Sequence, residues 1–591
     1  MIEARFDDLT GAEPSFRLVG PVGVLEATRT GEVTGVLEAA EAAAARGLWV
    51  AGFVAYEAAP GLDPALRVRS RAMGDAFEAL PLAWFAMFEG RQETLLPAPA
   101  PGEPRLDPSA WVPSVDRAAY DRAIARIHEH IAAGETYQVN HTLRLHARVE
   151  GDLRGLYRDL CYAQRGAYAG YLDLGRYRVL SASPELFFRI EGDRIVTKPM
   201  KGTAPRGRWV EEDEEIRARL RGSVKDRAEN AMIVDLLRND LGRIARMGSV
   251  RWSDVFDAER FETVWQLTST VEASTHPGAG LTDVFGALFP SGSVTGAPKV
   301  STMSIIADLE DSPRGVYCGT VGYLAPHDAP GPRARFNVAI RTVVHDAATA
   351  AAEYGVGGGI TWDSTASSEY DEAVAKARVL TARRPSFRLL ETLHHDPTEG
   401  YRRLDEHLTR LGGSAGYHGF TFDEGAVRAA LEREAARYPG KPARVRLVVD
   451  RRGRIEAGSA PMPGTREPLR LEIDDGHPVD PEDPFLFHKT TLRDRYEAAS
   501  ARHPDADDVV LVNTRGEVTE TTIANLAVRL EDRWWTPPLD AGLLPGCERA
   551  ALLADGTLRE RRISVDELRS AGSLAVLNSV RGWRAAVLAR S

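Results

Sequence analysis

Short apolar runs, stretches with helical spacing and two breaker segments divide this 591-residue chain, which is too long for one hydrophobic core. Leu48-Trp49-Val50-Ala51-Gly52-Phe53-Val54-Ala55-Tyr56 reads as strand, and the alanine-rich stretch 34–46 before it as helix. Leu96 to Pro113 holds six prolines and reads as a surface connection. From 116 to 133 the apolar residues Tyr120, Ile124, Ile127 and Ile131 share one helix face, and the alternation from Tyr137 to Val149 predicts a strand. Mixed strands and helices continue to a helix-like Ala373–Thr381, and then Ala382-Arg383-Arg384-Pro385-Ser386 interrupts the pattern. This spacing predicts a first domain over 1–382, with an N-terminal lobe over 1–95 and a core over 115–380, and a second domain over 386–591.

Composition narrows the function classes. A 43% apolar and 27% charged chain is ordinary globular protein, and no run of about 18 apolar residues suggests a membrane span. The start, Met1-Ile2-Glu3-Ala4-Arg5-Phe6-Asp7-Asp8, lacks the pattern of a signal peptide, so a cytoplasmic protein is expected. A net charge of -11 argues against nucleic-acid or membrane partners. Cys161, Cys318 and Cys547 have no paired spacing, which suits a reducing compartment and neither a disulfide framework nor a zinc site. The basic residues are nearly all arginine; the only lysines are 198, 201, 225, 299, 376, 441 and 489. Where arginine supplies the charge, a lysine stands out, because it can lose its proton and act as a nucleophile or form an imine.

Two expected helices carry acids three residues apart, Asp226 with Glu229 and Glu369 with Glu372, each pair on one face. Either they are solvated faces, or they converge on a hard-oxygen site suited to magnesium. Ahead of Glu369, Gly355-Val356-Gly357-Gly358-Gly359-Ile360 is either a tight turn or bare backbone that lets an anion approach.

Residues 115–380 resemble the chorismate-utilising enzymes, and component I of aminodeoxychorismate synthase in particular. The matching stretches are Gly134–Asn140, Ser181–Phe187, Lys198-Pro199-Met200-Lys201-Gly202-Thr203, the Glu229 helix, Gly296–Lys299, Phe336–Thr342 and the final triple glycine with its Glu-x-x-Glu. The resemblance implies an α+β fold, an antiparallel β-sandwich with flanking helices. It also implies Mg2+ held by Glu229 and Glu372 with Asp226 and Glu369 behind them. Arg341, Gly357, Gly358, Gly359, Lys299 and Thr203 are the implied substrate-binding residues, and chorismate the substrate.

Lys201 is the telling position, since anthranilate-forming relatives have alanine there and add ammonia at ring carbon 2. A neutral lysine amine can occupy carbon 2, expelling the carbon 4 hydroxyl through the diene, so that ammonia enters at carbon 4 and releases the lysine. Glu185 matches the general acid for that hydroxyl. The bland readings are a loop ion pair for Lys201, a cap for Glu185 and a strand-surface charge for Arg341. Gln266 stands where relatives that eliminate pyruvate often have histidine, and it cannot shuttle a proton, which suits a module that stops at the aminated intermediate. The Leu-Leu-Glu-Ser stretch linked to tryptophan feedback is missing. No cysteine sits in a glutaminase elbow, so ammonia is expected from a partner glutamine amidotransferase subunit.

After Ser386 the chain resembles class IV (fold type IV) pyridoxal-phosphate enzymes, an α/β domain pair, and 4-amino-4-deoxychorismate lyase most of all. The matching stretches are Leu390–Leu393, Leu404–Leu411, Phe487–Arg493, Glu517–Leu526 and Leu543–Gly546. By that resemblance Lys489 binds pyridoxal 5'-phosphate and moves the proton, and Glu520 pairs with the ring nitrogen. Arg410, Gly546 and Cys547 would hold the phosphate, and a homodimer through this domain is compatible with it. Lys489 as a surface lysine, Arg410 as helix decoration and Glu520 as a turn acid are the alternatives. Glu548 departs from the threonine common in relatives, and an acid beside a phosphate is unfavourable. The two resemblances imply bifunctional 4-aminobenzoate synthesis, with pyruvate lost in the second step. The rivals are an anthranilate- or isochorismate-type synthase joined to an amino-acid aminotransferase, and a second domain that has lost catalysis and serves as scaffold.

Overall fold

The computed structural model describes residues 2–99, 111–381, 385–462, 464 and 467–589. Most of the proline-rich connection and Ala382–Arg384 of the second breaker therefore lie outside the described residues. The chain forms two units, one of residues up to 205 with 217–384, the other of 206–216 with 385 onward.

The first unit is built on a continuous antiparallel ladder. Gln138–Arg148 pairs with Ala351–Ile360, and the order then runs through Thr342–Asp346, Tyr177–Ser183, Tyr168–Asp173 and Glu3–Asp7. It continues through Phe16–Ala27, Ala83–Glu93, Trp49–Val54, Thr320–Leu324, Ala334–Val338 and Leu186–Glu191 to Arg194–Lys198 and Val264–Ser274. The strands of residues 3–93 are thus embedded in the middle of the ladder, which corrects the expectation of a separate N-terminal lobe. Their edges are closed by partners distant in sequence, and local patterning cannot show such pairing.

A central aromatic core includes Phe6, Phe16, Trp49, Phe53, Trp84 and Tyr323. All six residues of Trp49–Val54 are buried, as expected of an apolar run with both faces covered. Helices cover the outer faces: Val33–Ala45, Leu281–Leu288 and Val224–Gly242 pack on one core, and Arg117–Ala132, Leu153–Gln164 and Ala366–Ala377 on another. The helix Arg117–Ala132 starts where the Asp116 side chain accepts from the Ala119 amide, and it buries Tyr120, Ile124 and Ile127 with Ile131 half-buried. This α+β sandwich with flanking helices is the architecture that the resemblance implies.

The second unit has two sheets. Leu389–Asp396, Gly400–Tyr401, Ala443–Val449 and Ile455–Pro461 form an antiparallel sheet beside the helices Leu404–His418 and Glu424–Ala435. The other sheet has eight strands, with Leu469–Val479 parallel to both Asp508–Asn513 and Gly582–Leu588.

Candidate active sites

In the first unit, a cavity of ≈ 450 Å³ gathers most of the residues singled out above. Lys201, Gly202 and Thr203 arrive on the strand Met200–Pro205, whose register against Val264–Ser274 slips between Met200 and Thr203. Gly202 has φ +82°, and a Cβ there would lie 2.9 Å from the Asp226 Cβ, so glycine suits the position. Asp226 and Glu229 come from the first turns of Val224–Gly242, which is capped by Ser223, and Glu369 and Glu372 from Ala366–Ala377, capped by Thr365. The glycines 357–359 also line the cavity, with Gly358 paired across the sheet with His141 and Gly359 with Asn140.

The charges in this cavity press on one another. Burial, then the Lys376 charge, pushes the Lys201 amine below its ordinary value, against the pull of Glu229, Glu185 and Glu372. The Lys201 Nζ and the Gln138 Nε2 both crowd Gly359, at 2.8 and 2.7 Å from where a Cβ would stand. Gln138 is fully buried, and neither of its amide atoms has a hydrogen-bond partner. It is a polar group at the site that sequence reasoning passed over as part of a motif. Glu185 is 4% exposed, and burial pushes its carboxyl up to about 7 against Ser293 and Lys201. At that value it can hold a proton near neutrality.

Glu229 and Glu369 are raised by burial and by neighbouring carboxylates, Asp226 and Glu369 for the one and Glu372 for the other. Burial also raises Glu372, but Lys376 at 2.7 Å, with Lys201 and Arg341, holds the carboxyl down. Acids from two helices thus crowd one cavity together with the ammonium groups of Lys201, Lys225 and Lys376. Among the described residues no three His, Cys, Asp or Glu side chains form a metal cage. Glu229 and Glu369, both raised by burial and crowding, offer carboxylate oxygens of the kind magnesium takes one or two at a time.

Arg341 lines the cavity with φ +53°, a left-handed backbone that costs a non-glycine residue roughly 1–3 kcal/mol. Its guanidinium donates to the Lys376 carbonyl. Thr203 donates to the Gln266 side chain at 3.2 Å. Lys299, expected among the substrate-binding residues, does not join them: it is not among the lining residues, and its ammonium is held by Asp240 and the Leu288 carbonyl, both at 3.1 Å. The Gly-Ala-Pro-Lys motif places it at the start of a helix whose packing consumes the charge.

A cavity of ≈ 410 Å³ in the second unit brings together Lys489, Glu520, Arg410, Gly546 and Cys547. Burial, then Arg410, lowers Lys489 to about 8, with Arg493 adding and Glu391 and Glu520 opposing. Glu520 is 4% exposed, and burial raises it to about 7. It accepts from the Tyr496 hydroxyl at 3.1 Å and the Leu544 amide at 3.2 Å. Arg410 makes paired bonds of 2.9 and 2.6 Å to Glu391 and another of 3.0 Å to the Pro545 carbonyl. Glu391 also binds His407, whose other nitrogen meets the Ser579 hydroxyl at 2.7 Å. Burial opposes the charge on His407, but Glu391 and Cys547 together raise the imidazole to about 9.

Cys547 opens the helix Cys547–Ala554 with Gly546 at its N-cap, and both line the cavity at the positive end of the helix. A Cβ on Gly546 would lie 1.9 Å from the Asn525 Oδ1, so a larger residue would displace that side chain. A reactive lysine, an acid facing it and an amide cradle fit pyridoxal phosphate. Glu548 is turned away: it is buried and paired with Arg402 at 2.8 Å and Arg403 at 2.7 Å, which neutralises the expected repulsion. Arg444 and Arg446 project from Ala443–Val449 into the cavity, and sequence reasoning missed them. Their alternation with buried Ala443, Val445 and Leu447 is the signal that could have found them.

Comparison with known proteins agrees with this division. A family described as chorismate binding enzyme matches residues 9–382, and one described as amino-transferase class IV matches residues 388–588. Aminodeoxychorismate synthase component 1 of Salmonella typhimurium is 40% identical over 269 residues, 45% of this chain and 58% of that one. Anthranilate synthase component 1 of Aquifex aeolicus is 37% identical over 270 residues, 46% of this chain and 53% of that one. The chain thus spans less than two thirds of these relatives' lengths. The crystal structure of anthranilate synthase component I from Streptococcus pneumoniae TIGR4 superimposes with a TM-score of 0.54 at 26% identity, over 63% of this chain and 93% of that one. With its acid-lined cleft set in the matching fold, the chain belongs to the chorismate binding enzymes through residues 9–382, and its residues 388–588 match the amino-transferase class IV family.

Proposed function

We propose that the chain makes 4-aminobenzoate from chorismate in two steps, amination at ring carbon 4 in the first unit and loss of pyruvate in the second. One observation carries the reading: the Lys201 amine, held below its ordinary value, stands beside Gly359 in the acid-lined cleft. An uncharged amine there is a nucleophile for carbon 2 of the ring. As its nitrogen bonds to carbon 2, the double bonds shift and the carbon 4 hydroxyl leaves as water on a proton from Glu185. Ammonia then bonds to carbon 4, the double bonds shift back, and the carbon–Lys201 bond breaks. Glu229 and Glu372 are the residues that would hold magnesium, which supplies a positive centre for the ring carboxylate when bound. Arg341 and the amides of Gly357–Gly359 suit the other carboxylate. Ammonia would come from a partner glutamine amidotransferase.

In the second unit Lys489 and Glu520 would hold pyridoxal phosphate, with its phosphate toward Gly546 and Cys547 and Arg410 behind them. The cofactor supplies an electron sink when bound. Lys489, at about 8, exchanges a proton readily near neutral pH and can remove the one at carbon 4. The two arginines 444 and 446 favour a substrate with two carboxylates, which the aminated intermediate is.

Relatives named for the ortho amination have similar identity, so regiochemistry rests on Lys201. Purified chain supplied with chorismate, magnesium, ammonia and pyridoxal phosphate should release the para isomer, identified by chromatography. Lys201→Ala should lose that product. The ortho isomer from the unaltered chain, or undiminished para product from the variant, would overturn the proposal.

A further inference from the structure

Eleven residues of the first sequence domain, 206–216, pack with the second unit. They follow the strand that carries Lys201 and precede the helix that carries Glu229. Their first half is folded around one carboxylate. The Arg206 guanidinium reaches Asp213 through bonds of 2.8 and 2.6 Å, and the Gly207 amide donates to the same carboxylate at 2.8 Å. Both charged side chains are about as buried as core residues, at 6% and 5% exposure. A Cβ on Gly207 would lie 2.3 Å from the Asp213 amide nitrogen, so the loop closes only on glycine.

This loop lies behind the residues that precede Lys489. The Arg206 guanidinium sits 4.2 Å from the Tyr417 ring centroid and donates to the Tyr417 carbonyl at 3.0 Å, while the Tyr417 hydroxyl donates to the Gly207 carbonyl at 2.6 Å. His488 and His418 also pack on the Tyr417 ring, with centroids 4.2 and 4.7 Å away. Trp209 packs on Phe487 at 5.1 Å, and Ser414 holds the His488 Nδ1 at 3.0 Å. Phe487 and His488 are 1% and 3% exposed. The backbone leading to Lys489 is therefore wedged between the sheet, where its carbonyl accepts from the Leu390 amide at 2.9 Å, and residues 206–209 with Tyr417.

We infer that residues 206–213 are a positioning element for Lys489, so that the second catalytic unit is completed by chain from the first sequence domain. Arg206 and Trp209 act through Phe487 and His488 and touch no substrate. Loosening them lets the turn relax, admits water around the lysine and moves its amine away from the cavity wall. The inference rests on Lys489 as the cofactor lysine, and the test separates the two.

The test uses the full chain, carrying Arg206→Ala, Arg206→Lys, Trp209→Leu or Tyr417→Phe, each checked for its near-ultraviolet circular dichroism. In cofactor-free protein, acylation of Lys489 is followed by mass spectrometry against pH, and pyridoxal phosphate affinity is titrated separately. Arg206→Ala and Trp209→Leu should move the labelling midpoint of Lys489 up by roughly half a unit or more, as water reaches the amine. They should weaken cofactor binding by roughly ten-fold, the scale of one charge-assisted hydrogen bond, with Arg206→Lys intermediate. Should Arg206→Ala fail to fold, Tyr417→Phe, which removes only the hydroxyl bonded to Gly207, and Trp209→Leu decide by the same readouts. Unchanged labelling and affinity in the folded variants overturn the inference while leaving the reading of Lys489 intact. A Lys489→Ala chain that still completes the second step removes both.

Discussion

Two neighbouring glycines should fail in opposite ways when each is replaced by alanine. At Gly357 a Cβ would meet the His141 carbonyl oxygen at 2.2 Å and the Thr142 Cα at 2.7 Å, both backbone atoms of the paired strand. Backbone in a ladder cannot yield by an ångström, so Gly357→Ala should cost roughly 3 kcal/mol or more, the upper range of overpacking. At Gly359 the atoms met are the ends of flexible side chains, the Gln138 Nε2 at 2.7 Å and the Lys201 Nζ at 2.8 Å. They can retreat, so Gly359→Ala should cost less than about 1 kcal/mol of stability. Relief to ordinary contact at about 3.4 Å moves the Lys201 amine by about 0.6 Å, and a displacement near 1 Å costs a reacting group roughly a hundred-fold. Amination should therefore slow by roughly ten- to a hundred-fold in a chain that stays folded. Thermal unfolding by circular dichroism and initial rates with chorismate and ammonia, read by chromatography, report the two quantities separately. A Gly359→Ala chain with the unaltered rate would show that the amine does not act from this position. Unfolding as severe as that of Gly357→Ala would show that the glycine serves the sheet and not the site.

Glu185 must be protonated to give its proton, so first-step rates should fall as pH rises through about 7, and Glu185→Gln should lose roughly 10²- to 10⁴-fold and the pH step with it. A Gln variant that keeps both rate and profile assigns the acid elsewhere. For Lys489 the folded value, about 8, lies below the free value, 10.5, so the unfolded chain binds more protons between them. Its burial penalty is then fully present below 8 and fades as pH rises toward 10.5, over a range on the order of 3 kcal/mol. Denaturant unfolding of the cofactor-free second unit within the full chain should show Lys489→Met stabilising at pH 7 and losing that advantage by pH 10; a gap that stays constant with pH contradicts the reasoning. Glu548→Ala leaves Arg402 and Arg403 without their shared acid and should cost roughly 2–4 kcal/mol, with little change in pyridoxal phosphate affinity. A large gain in affinity would mean that the acid faces the phosphate after all.

How much of this could be read from the chain depends on what kind of interaction specifies each residue. Asp226 with Glu229 and Glu369 with Glu372 were legible because spacing on a helix is local, and the triple glycine because bare backbone is conspicuous. The merging of residues 3–93 into one ladder, the Arg402–Glu548–Arg403 cluster and the packing of 206–216 were not, since each is set by partners that lie far away in sequence. Lysine scarcity pointed to seven candidates without ranking them, and tertiary structure supplies the ranking. Lys198 is paired with Glu259, Lys299 with Asp240 and Lys376 with Glu372, so their charges are fixed by a carboxylate. Lys225 and Lys441 are exposed to water. Among the described residues, only Lys201 and Lys489 are partly buried, line a cavity and have no ion pair. An ammonium in that position has lost part of its water and makes no direct ion pair, so its proton is held more loosely than in solution. That physical condition favours a nucleophilic lysine, and among the described residues it is met once in each unit.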